Sequence, residues 1–288
     1  MTQIERTYKD RLFVFIFGRE ERKNWTLELY NAVNASNYTD PNDIEITTIQ
    51  NVLYLGMHND VSFLIDNQLS LYEQQSTFNP NMPVRQFLYA AKLIEKYLIP
   101  IRHRLYWKSL VKIPAPKLVV FYNGADAQPD ETILKMSDAY PEGTKGDIEV
   151  SVRMLNINEG HNKKLAQACK PLQEYTWLID RIRTYAKQIS IEAAVDKTLD
   201  EMPENALIKP LLITHKAEIK GMILTEYNEE EVMNSFKEEG KIEGKIEGKI
   251  EAIQEIMKEL KLSLDQALAI LKITKEDYNY YQTRSSKS

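Results

Sequence analysis

The 288-residue sequence predicts an α/β fold: a mixed sheet flanked by helices, followed by a helical C-terminal region. Three observations carry that expectation. Runs rich in Ile, Val, Thr and Leu fill much of residues 44–75, between two helical patterns. A continuous apolar run at 118–122 (LVVFY) suits a buried strand. From residue 163 to 225 helical spacing takes over almost entirely.

The elements follow in order. Residues 25–35 (WTLELYNAVNA) space Leu27, Tyr30 and Val33 as a helix does, and 37–42 (NYTDPN) form a turn cluster. Three strand-like runs come next, at 44–57, at 60–65 (DVSFLI) and at 69–75 (LSLYEQQ), the last two joined by a short polar turn. Residues 79–83 form a loop with two prolines. Residues 84–98 then place Phe87, Leu88, Ala91, Ile94 and Leu98 on one helical face. Asn123–Gly124 ends the strand at 118–122, and 148–157 reads as a further strand. Breaks near Pro171, Pro203 and Pro210 divide the helical stretch. The resulting organisation is a core at 1–160, a helical extension at 161–225, a charged Gly-Glu-Lys helical linker at 226–260 and a small helical unit at 261–288.

Residues 238–252 (EEGKIEGKIEGKIEA) repeat, setting Ile242, Ile246 and Ile250 four apart on one face. Gly240, Gly244 and Gly248 each cost about 1 kcal/mol relative to Ala in a helix, so such a helix is marginal alone. Its stripe, extended by Ile253, Ile256 or Met257 and Leu260, predicts a homodimer through this C-terminal helix; a solvated tether is the other reading. Ser263 reads as the N-cap of a short helix to Leu271, and a last helix covers 275–281.

Hydrophobic residues at 43% allow a sizeable core. No run approaches the roughly 18 apolar residues of a membrane helix, and the charged start MTQIERTYKDR is unlike a signal peptide, so the expectation is a cytoplasmic protein without a membrane partner. Cys169 is the only cysteine, which excludes an intramolecular disulfide and a Cys-based zinc site. His58, His103, His161 and His215 show no metal-ligand spacing, and the GKIEGK repeats do not match a phosphate-binding loop. The net charge is −5, but residues 222–260 hold eleven Glu and five Lys, a net of −6. The other 249 residues sum to +1, so the body is free to carry a basic face.

The hairpin at 60–75 carries the candidate chemistry. A two-residue loop, Asp66–Asn67, pairs Ile65 with Gln68 and sets Asp60 across from Glu73, with Gln75 on the same face. A loop of Asn67–Gln68 instead sets Gln75 across from Asp60 and leaves Glu73 diagonal. Either register gathers the three polar side chains on one side, whereas a three-residue loop scatters them. Two opposed carboxylates repel unless a divalent cation lies between them, which points to Mg²⁺ or another divalent ion held by Asp60 and Glu73. Gln75 could orient water or offer its carbonyl oxygen, but lacks a lysine's charge. The bland alternative is an exposed polar edge.

Several stretches resemble the recombination-promoting nuclease/transposase family, a bacterial branch of the PD-(D/E)XK nucleases. They are YKDRLFVFIF (8–17), LYNAVN (29–34), NDVSFLI (59–65), LYEQQSTFNPNMPVR (71–85), FYNG (121–124) and LNINEGHN (155–162). The resemblance covers about residues 5–230, and the charged Gly-Glu tail is also typical of it. It implies a restriction-endonuclease-like core, a Mg²⁺-dependent DNA endonuclease, and a role in recombination, mobile elements or defence against foreign DNA. The D…(D/E)XK core carries over to Asp60, Glu73 and Gln75. The sequence departs from the family at Gln74, where relatives often have His, and from the general motif at Gln75, where it has Lys.

Other candidates surround this cluster. Asp10 or Glu28 could add a carboxylate, or lie on a solvated helix face. Arg85 could meet a phosphate, or form a surface salt bridge. Arg102, His103, Arg104, Tyr106, Trp107, Lys108 and Lys112 interleave cations with aromatics, which suits a DNA backbone or an exposed loop without a ligand. Arg85, Arg102, Arg104 and Lys108 are thus the candidate DNA contacts. The rival functions are a catalytically weak DNA-binding or transposon-accessory protein, and an oligomeric interaction protein working through its tail.

Overall fold

The computed structural model describes residues 12–47, 60–276, 278 and 279, with the backbone alone at 229–247. The chain divides into two compact units, Met1–Glu226 and Tyr227–Ser288.

The first unit opens with helices α1 (Leu12–Phe17) and α2 (Lys23–Asn34), then strands β1 (Ile44–Ile46), β2 (Val61–Ile65) and β3 (Gln68–Gln75). Helix α3 (Met82–Leu98) and a 3₁₀ segment (Ile99–Tyr106) lead to β4 (Ala115–Tyr122), β5 (Glu131–Lys135) and β6 (Ser151–Asn156). Helices α4 (Lys163–Ala168), α5 (Lys170–Ala186), α6 (Ile191–Glu201), α7 (Lys209–Thr214) and α8 (Lys216–Leu260) follow. The six strands form one mixed sheet in the order β1-β2-β3-β4-β6-β5. β3, β4 and β6 run parallel, while β1–β2, β2–β3 and β5–β6 pair antiparallel. Of the strand expected at 44–57, residues 48–57 lie outside the described residues.

Strand alternation decides the layers. Val61, Phe63 and Ile65 of β2, Tyr72 of β3, and Val119 and Phe121 of β4 point to one face. There they join Leu27 and Tyr30 of α2, Leu172, Tyr175 and Leu178 of α5, Val195 of α6 and Leu212 of α7 in one core. The expected helical extension at 161–225 therefore shares the core of the sheet. Pro171 and Pro210 begin helices rather than ending them, as befits a residue whose missing N–H costs nothing in the first turn. The opposite face presents Leu69 and Leu71, which pack on Tyr89, Ala90 and Leu93 of α3. Each leucine so buried contributes about 1.5–3 kcal/mol.

α3 is rotated from its expected packing. Its buried side is Met82, Gln86, Tyr89, Ala90 and Leu93. Phe87, Ala91, Ile94 and Leu98 instead line an open groove of about 800 Å³, shared with Leu105, Leu118 and Val150, and Leu88 is exposed. The helix is apolar on both adjoining stripes, and the sheet covers only one of them.

In the second unit Ser263 and Gln266 form a capping box at the start of α9 (Leu264–Leu271). Ile253 is buried with Ala267, Leu268 and Tyr278, and Ile256 and Met257 pack against them. The lower part of the isoleucine stripe is therefore covered within its own unit, which departs from the expectation that the stripe is left for a second copy. The side chains of Ile242 and Ile246 lie outside the described residues, as do residues 277, 280 and 281 of the helix expected at 275–281, whose residues 275, 276, 278 and 279 are helical. Among the described residues no helix is long and apolar enough to cross a membrane.

Candidate active site

The β2–β3 hairpin fixes the cluster. Its loop is Asp66–Asn67, with Asp66 in the left-handed region at φ 50° and Tyr38 donating its hydroxyl hydrogen to the Asp66 carboxylate. Ile65 pairs with Gln68 and Val61 with Tyr72, the first of the two registers considered. One further step sets Asp60 across from Glu73, on the α3 face of the sheet. Gln75 shares that face, two residues along.

All three side chains are buried: Asp60 is 6% exposed, Glu73 2% and Gln75 7%. Such burial is tolerable only with partners. Oδ2 of Asp60 accepts the backbone N–H of Gln74 at 2.7 Å. Oε1 of Glu73 accepts from Nε2 of Gln75 at 2.8 Å and from Nη2 of Arg85 at 2.5 Å. The same Arg85 nitrogen reaches the Tyr89 hydroxyl at 3.3 Å. Burial pushes that hydroxyl up to about 12, with Glu73 and Asp60 adding to the effect. For the Arg85 guanidinium, burial acts to lower the pKa, but Glu73 first, then Tyr89 and Asp60, outweigh it and the net shift is upward.

Residues on the other side of β3 buttress the site. Nε2 of Gln74 donates to Oδ1 of Asn123 at 2.6 Å, and Nδ2 of Asn123 donates to the buried Tyr175 hydroxyl at 3.3 Å. Arg183 of α5 donates to the Asn123 carbonyl. Asn123 N–H bonds the Gln75 carbonyl at 3.0 Å, tying the ends of β3 and β4 together. Gly124 follows, where any Cβ would strike the Ser76 carbonyl oxygen. Asn158 donates to the Gly124 carbonyl at 2.9 Å. The FYNG and LNINEGHN stretches thus meet beside Gln75, at the carboxyl ends of parallel strands, the usual place for ligands in α/β sheets.

The remaining candidates part company. Arg85 joins the cluster. Glu28 does not: it lies on α2, where its carboxylate accepts the Lys170 N–H at 2.6 Å at the start of α5. Asp10 lies outside the described residues. Arg102, Arg104 and Lys108 are exposed, with Tyr106 at 92% and Trp107 at 57%, and Arg104 lies over the Trp107 ring. They sit at the opposite end of the sheet, because α3 returns the chain to the start of β4, where Ala115 N–H bonds the Asn67 carbonyl of the hairpin loop. From Ala115 to Val120, the partner of Glu73, β4 spans roughly 17 Å at about 3.3 Å per residue. Sequence reasoning named Gln74 only as a departure from the family and Asn123 only within FYNG, and it missed Tyr89, Tyr175 and Arg183 as neighbours of the site.

The cluster offers oxygen donors, and Arg85 stands as the counterion of Glu73. Two carboxylates and an amide carbonyl are oxygen ligands of the kind Mg²⁺ takes. Among the described residues no group of three or more His, Cys, Asp or Glu could hold a metal. An ion at Asp60 and Glu73 would then complete its shell with phosphate oxygens and water, as Mg²⁺ commonly does. No family model, curated protein or solved structure matches the chain.

Proposed function

We propose that the chain is a metal-dependent DNA endonuclease of the PD-(D/E)XK type, related to the recombination-promoting nuclease/transposase family. The observation that carries this reading is Asp60 set across from Glu73 on the β2–β3 hairpin, with Gln75 bonded to Glu73 on the same face. The order helix, three strands, helix, strand around that hairpin supports it, being the order the family resemblance implies.

Asp60 and Glu73 would hold Mg²⁺ or another divalent ion, which supplies water activation and positive charge for the phosphate. Gln75 turns its amide nitrogen to Glu73, leaving its carbonyl oxygen to orient water. In the hydrolysis a water oxygen bonds to phosphorus as the bond to one sugar oxygen breaks. The attacking water gives up a proton to solvent and the leaving oxygen takes one from solvent. Arg102, Arg104 and Lys108 would hold the DNA backbone away from the cut, beyond the start of β4. A second copy, bound through the C-terminal helix, would bring the second site that a double-strand break needs. Recombination, mobile elements or defence against foreign DNA, in the cytoplasm, are the settings this chemistry suits.

The test is nicking of supercoiled plasmid by wild type and Asp60→Ala, each with Mg²⁺ and with EDTA. Nicking by wild type in Mg²⁺ alone, lost in Asp60→Ala, is the expected result. One observation favours a second reading, a DNA-binding protein with weak catalysis. Arg85 already neutralises Glu73, and Gln75 brings no charge. Metal-independent DNA binding without any nicking would select it.

A further inference from the structure

We propose that Arg85 is the cation of this site, meeting the reacting phosphate in the role that the uncharged Gln75 cannot fill. The inference rests on the nuclease reading and deepens it.

Position comes first. Arg85 and Gln75 donate to the same oxygen, Oε1 of Glu73, at 2.5 and 2.8 Å. The guanidinium is therefore an immediate neighbour of the amide that stands at the lysine position of the general motif. A quarter of the Arg85 side chain is exposed while Glu73 is 2% exposed, so Arg85 lies between the buried acid and solvent, where a substrate arrives.

The helix itself offers no reason for a cation here. Arg85 is the fourth residue of α3, and no acidic residue occupies that first turn. Cations are disfavoured at a helix N-terminus, where the backbone dipole already leaves positive charge. The position thus costs helix stability and gains only through what lies beyond the helix. A salt bridge to Glu73 uses one of the five guanidinium N–H donors, and the contact to the Tyr89 hydroxyl a second at most. Nε is buried without a hydrogen-bond partner, so the Nη1 donors are the ones left for phosphate oxygens, on which charge grows as water attacks. While the site lacks substrate, Arg85 holds Glu73 as an internal counterion; a divalent ion at Glu73 competes with it and frees the guanidinium to turn toward phosphate.

The alternative is that Arg85 only neutralises Glu73. Arg85→Gln separates the two, because a glutamine keeps an N–H donor for Glu73 and so favours folding. Three readouts apply to the full chain: DNA affinity against salt in Ca²⁺, cleavage rate at saturating DNA in Mg²⁺, and Mn²⁺ affinity by calorimetry. Arg85→Gln should lower the salt slope by about one. It should slow cleavage about 10²–10³-fold. It should also bind Mn²⁺ more tightly, since a competing cation is gone. Adding Gln75→Lys to Arg85→Gln should restore cleavage at least tenfold. An Arg85→Gln protein with the wild-type salt slope and wild-type rate overturns the proposal. If wild type itself does not cleave, the nuclease reading fails and the salt slope alone decides: a loss of about one keeps Arg85 as the phosphate contact, and an unchanged slope removes it.

Discussion

Gly124→Ala tests whether the ends of β3 and β4 are packed as tightly as the site requires. A methyl group there would enter the Ser76 carbonyl oxygen and come within 2.6 Å of the Tyr122 hydroxyl. Neither neighbour can step aside cheaply. Tyr122 is fully buried, and its hydroxyl donates to the Asp126 carbonyl at 2.9 Å. Ser76 follows Gln75, whose carbonyl is held by Asn123 N–H at 3.0 Å. Carbon–oxygen contacts ordinarily begin near 3.3 Å, so the two strand ends must separate by roughly 1 Å. Overpacking of this kind costs about 1–3 kcal/mol, and loss of the Gln75–Asn123 bond adds about 1 kcal/mol. For a unit of this size a total of about 2–4 kcal/mol lowers Tm by about 5–15 °C. Gln75 would move with its strand end, and a displacement near 1 Å can slow catalysis about 100-fold. Thermal unfolding followed by circular dichroism measures the first effect and plasmid nicking the second. A Tm within about 1 °C of wild type would refute the close approach, and with it the account of why glycine stands in FYNG.

Three further outcomes are expected. Gln75→Lys should retain or raise the nicking rate, because it puts a charge at a position already beside Glu73 and Arg85; abolished nicking would mean that Gln75 is needed as a carbonyl donor. Charge reversal at Arg102, Arg104 and Lys108 should weaken DNA binding and reduce its salt slope by up to about three, yet leave the rate at saturating DNA within about twofold, since these residues lie at the far end of the sheet. Truncation to residues 1–237 should convert a dimer to a monomer in sedimentation analysis; the same mass ratio for full-length and truncated protein would show that the tail is not the dimer contact.

The hairpin was legible because β structure has period two. A two-residue loop at Asp66–Asn67 fixes parity, and parity fixes which side chains share a face with Asp60. The crossover was legible only in part. A helix between parallel strands must return the chain to the starting end, so the basic run at 102–108 had to lie away from Glu73; its composition alone gives no hint of that. α3 misled because two adjoining apolar stripes satisfy helical spacing equally, and the choice between them depends on which part of the sheet it covers. β5 left no clear signal: in ETILK only Ile133 and Leu134 are strongly apolar, and Ile133 is half exposed on an edge strand. The Arg85–Glu73 contact joins residues twelve apart on different elements, a distance no local pattern encodes. The tail showed its repeat plainly, yet the covering of Ile253 by α9 depends on a turn beyond the repeat.

The most direct measurement of the central claim is the nicking rate of Asp60→Asn in Mg²⁺, beside wild type. Asparagine keeps a carbonyl oxygen to accept the Gln74 N–H that Asp60 now holds at 2.7 Å, so the hairpin should remain intact. It removes the charge that a divalent ion requires and turns the other carboxylate oxygen into an amide NH₂. The account predicts a Tm within about 2 °C of wild type, on the order of 0.5–1 kcal/mol, and nicking slowed at least about 1,000-fold, on the order of 4 kcal/mol in the barrier. A folded Asp60→Asn protein that nicks DNA at the wild-type rate would contradict it.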